Sequence, residues 1–415
     1  MMNYLKGKMT QQNIALFLFV AFFWLYIAKM GVYNGIVITT TLWGIYFFVR
    51  HRQSVWQYFK DSSFIYIFAL LVIPIVISAC FSILPKDSWK TVLNFSRFFF
   101  IGSLVILFSI AALNKIRYGV LAFIVLITVD ATIEWLTGYH LMGESRDRNR
   151  IMGLFQFYHL GYVLATLTPI IFYQTMISFR EKKCSRYFWS IISMCSVLAI
   201  FVAGARAGVI TLLVSIGLLV LWMIFQKKIS LKIVLASLVM LVVMGVGISQ
   251  IPTVKNRYIN PYQETEKVEI GSYEWFDKLS SARLVLWEFA WKQYRENPVV
   301  GAGTGTFHKE FSSQPKELKR QHDEAFFPHF HGLEVLSQTG TIGFIGYLLA
   351  VCTVLVMLLT AKQFSIWLAV AFLAMMPINL HVAFYGSFWA VLIWIPLILG
   401  LRERYLLMQK DPINT

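Results

Sequence analysis

SSARLVLWEFAWKQYRENPVVGAGTGTF (Ser280–Phe307) and FPHFHGLEVLSQTGTIG (Phe327–Gly343) stand in the one long polar interlude, 251–340, of a chain otherwise apolar enough to sit in lipid. The first run reads as a helix. Leu284, Trp287, Trp291 and Tyr294 recur at helical spacing and form an apolar stripe. Ser280 or Ser281 supplies a cap at its start. Asn297-Pro298 ends it, because proline lacks a donor and biases the residue before it away from helix. Gly301, Gly303 and Gly305 follow, giving a backbone that can turn tightly or let a ligand approach, so Gly303 is a candidate binding position. The second run sets His329 and His331 just before the chain returns to apolar sequence.

Outside this interlude the composition is that of a membrane protein. The 415 residues are 58% hydrophobic and only 14% charged, with a mean hydropathy of +0.64; soluble domains carry about a quarter charged residues. The aromatic share of 16% suits belts at two membrane interfaces. The first apolar run leads straight into another and lacks a small-residue cleavage site, so no cleaved signal peptide is expected. The four cysteines lie in or beside apolar runs with no metal spacing and no disulfide framework.

A membrane-crossing helix needs about 20 apolar residues, with about 17 tolerable. Twelve such runs are legible, at roughly 13–28, 32–49, 64–84, 98–113, 118–133, 160–178, 188–203, 208–225, 233–250, 341–360, 364–378 and 384–401. With the N-terminus in the cytoplasm, the inside segments carry 18 basic and 4 acidic residues, a net +14, against +2 outside. Short cytoplasmic loops retain lysine and arginine, which predicts both termini inside and residues 251–340 outside. The formal charge of +16 is therefore topological and does not argue for nucleic acid. The expected fold is an all-α polytopic membrane protein of about twelve transmembrane helices: spans one to nine in 1–250, a large helical periplasmic loop in 251–340, and spans ten to twelve with a cytoplasmic tail in 341–415.

The outer segments hold the chemically interesting residues. GESRDRNRIMGLFQFYHLG (Gly143–Gly161) brings Arg146, Arg148, Arg150 and His159 beside few acids. AGARAG (Ala203–Gly208) sets Arg206 among small residues; it can snorkel to the interface, or turn inward because its neighbours leave room. Arg283 falls in the first turn of the interlude's helix, where a cation opposes the helix dipole, so it reads either as an anion ligand or as a surface arginine paired with Glu288 or Asp277. His331 opens a short helix ending at Gly340; imidazole is well suited to removing a proton at neutral pH, and Glu334 three residues on would orient it. His329 would then point elsewhere. Either histidine can equally be an interfacial side chain. No HExxH, Walker loop or serine elbow occurs, so neither a metal nor a cofactor is expected.

SARLVLWEFAWKQYRENPVVGAGTGTF followed by HFHGLEVLSQTGTIG resembles the signature of the O-antigen ligase and polymerase superfamily, and RNRIMGLFQFYHLG resembles that family's earlier outer loop. The family often has asparagine after the loop histidine; in this chain that residue is Gly332. The resemblance implies an inverting, metal-independent glycosyltransferase of the GT-C kind in a bacterial inner membrane. Its donor would be an O-antigen glycan on undecaprenyl diphosphate and its acceptor a lipid A-core sugar hydroxyl. It further implies Arg206, Arg283 and His331 as catalytic residues; Arg148, Arg150, His159, His329, Glu334 and Gly303 are the expected substrate contacts of the same outer segments. A polymerase or a protein-directed oligosaccharyltransferase carries the same signature. A transporter of lipid-linked glycans is disfavoured, because the charges cluster in outer loops and no repeat symmetry is visible.

Overall fold

The computed structural model describes residues 2–28, 30–144, 150–226, 245–255, 258, 268–319, 322, 325–380 and 382–410. Arg146, Arg148 and most of the run expected to cross at 233–250 lie outside the described residues. The helices are α1 (Met2–Trp24), α2 (Met30–Arg50), α3 (Arg52–Asp61), α4 (Phe64–Phe81), α5 (Pro85–Ser103), α6 (Ile110–Thr137), α7 (Leu160–Arg180), α8 (Arg186–Val202) and α9 (Arg206–Phe225). In the interlude come α10 (Tyr273–Leu279), α11 (Leu284–Glu296) and α12 (Thr306–Ser312), and beyond them α13 (His331–Leu359), α14 (Ile366–Met375) and α15 (Ser387–Lys410). A hairpin of two two-residue strands, β1 (Tyr139–His140) and β2 (Gly143–Glu144), follows α6. Eight of the described helices are long and apolar enough to cross a membrane, and α8 and α14 are shorter apolar helices, so the chain is a polytopic helical membrane protein.

Of the twelve runs expected from hydropathy, 188–203 and 364–378 correspond to the shorter helices α8 and α14, and one further pair is shifted. The runs expected at 98–113 and 118–133 are instead Pro85–Leu107 and Ile110–Thr137. Pro85 opens α5 where its missing N–H costs nothing, and Lys86, Asp87, Lys90 and Arg97 then ride on helix rather than loop. The chain breaks after a 3₁₀ turn, Leu104–Leu107. The Ser109 hydroxyl accepts the Ala112 N–H at 3.3 Å to start α6, and the Arg402 guanidinium donates to the carbonyls of Phe108 and Ile106, both at 3.0 Å.

The interlude is fastened to the membrane helices at a second break. Gly340 (φ +64) interrupts α13, separating a first segment from the span proper. A broken helix strands the carbonyls of one half and the N–H groups of the other, which must find partners away from water. The glycine-rich turn after α11 supplies them. Ala302 N–H donates to Ser337 O and Gly303 N–H to Gln338 O, each at 3.0 Å; in return Thr341 N–H donates to Pro298 O at 2.8 Å and Ile342 N–H to Val299 O at 3.2 Å. The Gln338 side chain accepts Gly305 N–H at 2.8 Å, and the Ser78 hydroxyl from α4 donates to Gln338 O at 2.6 Å. The backbones meet so closely that a Cβ on Gly301 would lie 2.3 Å from the Gln338 carbonyl carbon, and one on Gly340 2.3 Å from Val299 O.

Gly301→Ala and Gly340→Ala should each lower the unfolding temperature in detergent far more than Gly271→Ala. Gly271 has φ +87 but open space, so only backbone strain of about 1–2 kcal/mol applies there. Equal shifts at all three positions would refute the clasp.

Candidate functional site

The clasp sets the direction in which α11 leaves the membrane helices, and with it the start of α11. There the backbone is unusual: Ser281 (φ +61) and Ala282 (φ +62) are left-handed, the helix begins at Leu284, and Arg283 is its N-cap rather than a first-turn residue. Neither expected serine caps the helix directly. Ser280 accepts Arg283 N–H at 3.1 Å, and the Asp277 carboxylate takes Leu284 N–H at 3.3 Å. Glu288 accepts the Tyr273 hydroxyl at 3.0 Å. The buried face of α11 is Val285, Leu286 and Ala290, packed on Phe307 and Phe311 of α12. Of the expected stripe, Trp291 is exposed, whereas Leu284 and Trp287 face a cavity.

This cavity, of about 670 Å³, is in the size range of small-molecule sites. Arg150, Arg206, Arg283, His159 and His329 line it together, with Phe157, Tyr158, Tyr162, Trp287 and Phe327 among the aromatic walls. Five expected site residues, drawn from four stretches of sequence, thus share one space. No carboxylate lines it among the described residues. Arg206 is the first residue of α9 and donates through Nη1 to the Ser281 hydroxyl at 3.2 Å. Its small neighbours serve packing: a Cβ on Gly208 would lie 2.9 Å from Gly161 O, so α9 and α7 touch at their starts. Arg283 donates through Nη1 to Leu380 O at 3.3 Å. The Arg150 guanidinium lies 4.0 Å from the Tyr158 ring centroid. First-turn residues of α7, α9 and α11 all belong to the lining, so three positive helix ends reinforce three guanidiniums. The arrangement is suited to a multiply charged anion with a polar, ring-bearing partner.

The two histidines are placed differently. His329 lines the cavity; its backbone is left-handed (φ +54) and its ring lies 4.2 Å from that of Phe327. His331 is fully buried and stands behind Val382, a cavity-wall residue whose carbonyl accepts its Nε2–H at 2.8 Å, leaving Nδ1 without a partner. Glu334 does not orient His331. Its carboxylate accepts Phe384 N–H at 2.9 Å and Tyr385 N–H at 3.3 Å. Together with the backbone bonds His331 N–H to Asn379 O and Gly332 N–H to Pro377 O, both 3.0 Å, these two side chains hold the 377–385 segment whose Leu380 and Val382 form the wall. Gly303 lies away from the cavity too: a Cβ there would sit 1.9 Å from the Ser82 hydroxyl, so this glycine seats the turn on α4 and α5. Sequence reasoning misses Ser281, the aromatic walls and the 377–385 segment; Pro377-Ile378-Asn379, a turn signal between apolar runs, marks the last of these.

His159 sits against the rings of Phe157, Tyr162 and Phe388, and burial pushes its imidazole down to about 4. At neutral pH it offers a polar aromatic surface and no charge. Above pH 6.5, the ordinary value, folded and unfolded states are both neutral. As pH falls from 6.5 toward about 4, the unfolded chain takes a proton that the fold refuses, and stability drops. Wild-type protein should therefore lose more unfolding temperature over that window than His159→Phe, which keeps the ring packing. Parallel losses would contradict the burial.

Residues 191–348, from within α8 through α9 and the interlude into α13, match the family model described as O-Antigen ligase. The matched stretch contains Arg206, Arg283, His329 and His331. A search of curated proteins finds no match. This stretch, which holds both the clasp and most of the charged lining, is what the chain shares with the O-antigen ligase family.

Proposed function

We propose that this protein is an O-antigen ligase of the bacterial inner membrane. It moves an O-antigen glycan from undecaprenyl diphosphate to a sugar hydroxyl of lipid A-core on the periplasmic side. The observation that carries the reading is the convergence of Arg150, Arg206 and Arg283, from three separate elements, on one cavity that also has His329 in its wall. The leaving group of such a donor is a lipid diphosphate, and charge builds on it as the glycosidic bond breaks. Guanidiniums meet phosphate oxygens with forked, charge-assisted bonds, and groups already aimed at the site of developing charge lower the barrier without reorganising. The asymmetry of +14 inside against +2 outside supports placing this cavity at the periplasmic face, with both termini cytoplasmic.

In this reading the acceptor hydroxyl attacks the anomeric carbon from the face opposite the diphosphate. The carbon–oxygen bond to phosphate breaks, the bonding pair leaves with undecaprenyl diphosphate, and configuration inverts. The hydroxyl proton passes to His329, the histidine on the cavity wall, rather than to His331. His331 and Glu334 act indirectly by fixing the 377–385 segment. The aromatic walls offer faces for sugar rings, and Ile210, Phe276 and Leu279 give an apolar side for lipid. The matched family supports glycosyl transfer to or from a lipid-linked glycan in general; the choice of lipid A-core as acceptor is a further step of the proposal.

Single-turnover ligation tests the assignments. Arg206→Lys and Arg283→Lys keep the charge but lose the fork, and each should cut kcat/KM for the donor about tenfold or more. His329→Ala should slow the chemical step by about 10²–10⁴-fold with donor affinity little changed. His331→Ala should act mainly on thermal stability. Wild-type turnover in folded His329→Ala would remove the base, and wild-type turnover in both lysine variants would remove the diphosphate clamp.

The mechanism routes no step through a metal ion. Among the described residues, no group of three or more His, Cys, Asp or Glu side chains is gathered as a metal site. Ligation should therefore survive exhaustive chelation. Activity lost to chelator and restored by one defined divalent cation would overturn the mechanism.

A further inference from the structure

Glu134 and Asp130 are two acids one turn apart on α6, a helix long and apolar enough to cross the membrane, and both are buried, at 3% and 0% exposure. Acids in such a helix are costly unless partnered. Their partners come from the loop that follows α6. Glu134 Oε2 accepts Met152 N–H at 3.2 Å and Gly153 N–H at 2.6 Å, and Asp130 Oδ1 accepts Leu141 N–H at 2.8 Å. The loop is thus pinned at both ends to one face of one helix. Between the pins the chain carries Arg150, two residues before Met152, into the cavity, where Tyr158 receives its guanidinium. The fit is tight, because a Cβ on Gly153 would lie 2.8 Å from Asp130 Oδ2.

We propose that Glu134, assisted by Asp130, is a positioning residue for the donor: it sets the loop so that Arg150 stands in the cavity opposite Arg206 and Arg283. The proposal rests on reading that cavity as the donor diphosphate site. Glu134 touches no substrate; it acts through Arg150. An intramembrane carboxylate would in this way govern the placing of a cation through the backbone amides of the loop.

Two readouts separate this proposal from the reading beneath it. The first needs no activity: hydrogen exchange of the Met152 and Gly153 amides in the purified full-length protein. Glu134→Leu should speed that exchange about tenfold or more, and Glu134→Gln, which keeps an accepting oxygen, should leave it near wild type. The second is kinetic. Glu134→Leu should raise the donor KM about tenfold with the acceptor KM and kcat little changed, Glu134→Gln should restore it, and Glu134→Leu combined with Arg150→Ala should be no worse than Arg150→Ala alone. Should Glu134→Leu fail to fold, Gly153→Ala displaces the loop from the same carboxylates and should raise the donor KM in the same way. Unchanged exchange, or additive losses in the double variant, would overturn the positioning role. Wild-type donor KM in Arg150→Ala would overturn instead the donor reading of the cavity, and exchange would then decide alone whether Glu134 holds the loop.

Discussion

The structure depends on a backbone-to-backbone clasp. A helix broken at Gly340 presents the Ser337 and Gln338 carbonyls and the Thr341 and Ile342 N–H groups, and the 298–303 turn meets all four. Inside a membrane protein such groups have no water to fall back on, so non-helical backbone persists only where protein satisfies it. Glycine at 301 and 340 lets two main chains approach to a separation that a Cβ would prevent. The 298–303 turn of the polar loop is therefore fastened to α13, and α4 adds a further strap through Ser78.

From that joint the site is a matter of direction. The clasp fixes the C-terminal end of α11; its other end, thirteen residues away, delivers Arg283. The same clasp fixes the first segment of α13, whose opening turn grips 377–385 through His331, Gly332 and Glu334. Leu380, at the middle of the gripped segment, accepts from Arg283. Arg206 arrives by a separate route, through the contact of α9 with α7, and is tied across to Ser281. Positions far apart in sequence thus become neighbours through backbone carbonyls and small residues.

Much of this is legible in the residues. Asn297-Pro298 ends α11, Gly340 ends the short helix, and the arginines at 150, 206 and 283 do share one site. The failures have identifiable reasons. Periodicity shows that α11 has apolar faces but not which faces the core, so Trp291 reads as inward and is exposed. Hydropathy reads the polar start of α5 as loop because lysines and Asp87 can ride on a helix end as easily as on a turn. Helical spacing links His331 to Glu334, yet both side chains find backbone partners on a segment 50 residues on, a tertiary fact that no local pattern contains. His329 looks secondary because it precedes the helix; that non-helical, left-handed position is what turns it to the cavity.

The arginine-lined cavity, on this view, serves transfer from a lipid diphosphate to a lipid A-core hydroxyl. The most direct measurement is reconstitution of the purified chain with undecaprenyl-diphosphate glycan and rough lipopolysaccharide, with both lipids followed by gel mobility. The lipopolysaccharide should gain the glycan while free undecaprenyl diphosphate accumulates in equal amount. Rough lipopolysaccharide left unchanged while the lipid-linked glycan lengthens, or no reaction at all, would contradict it.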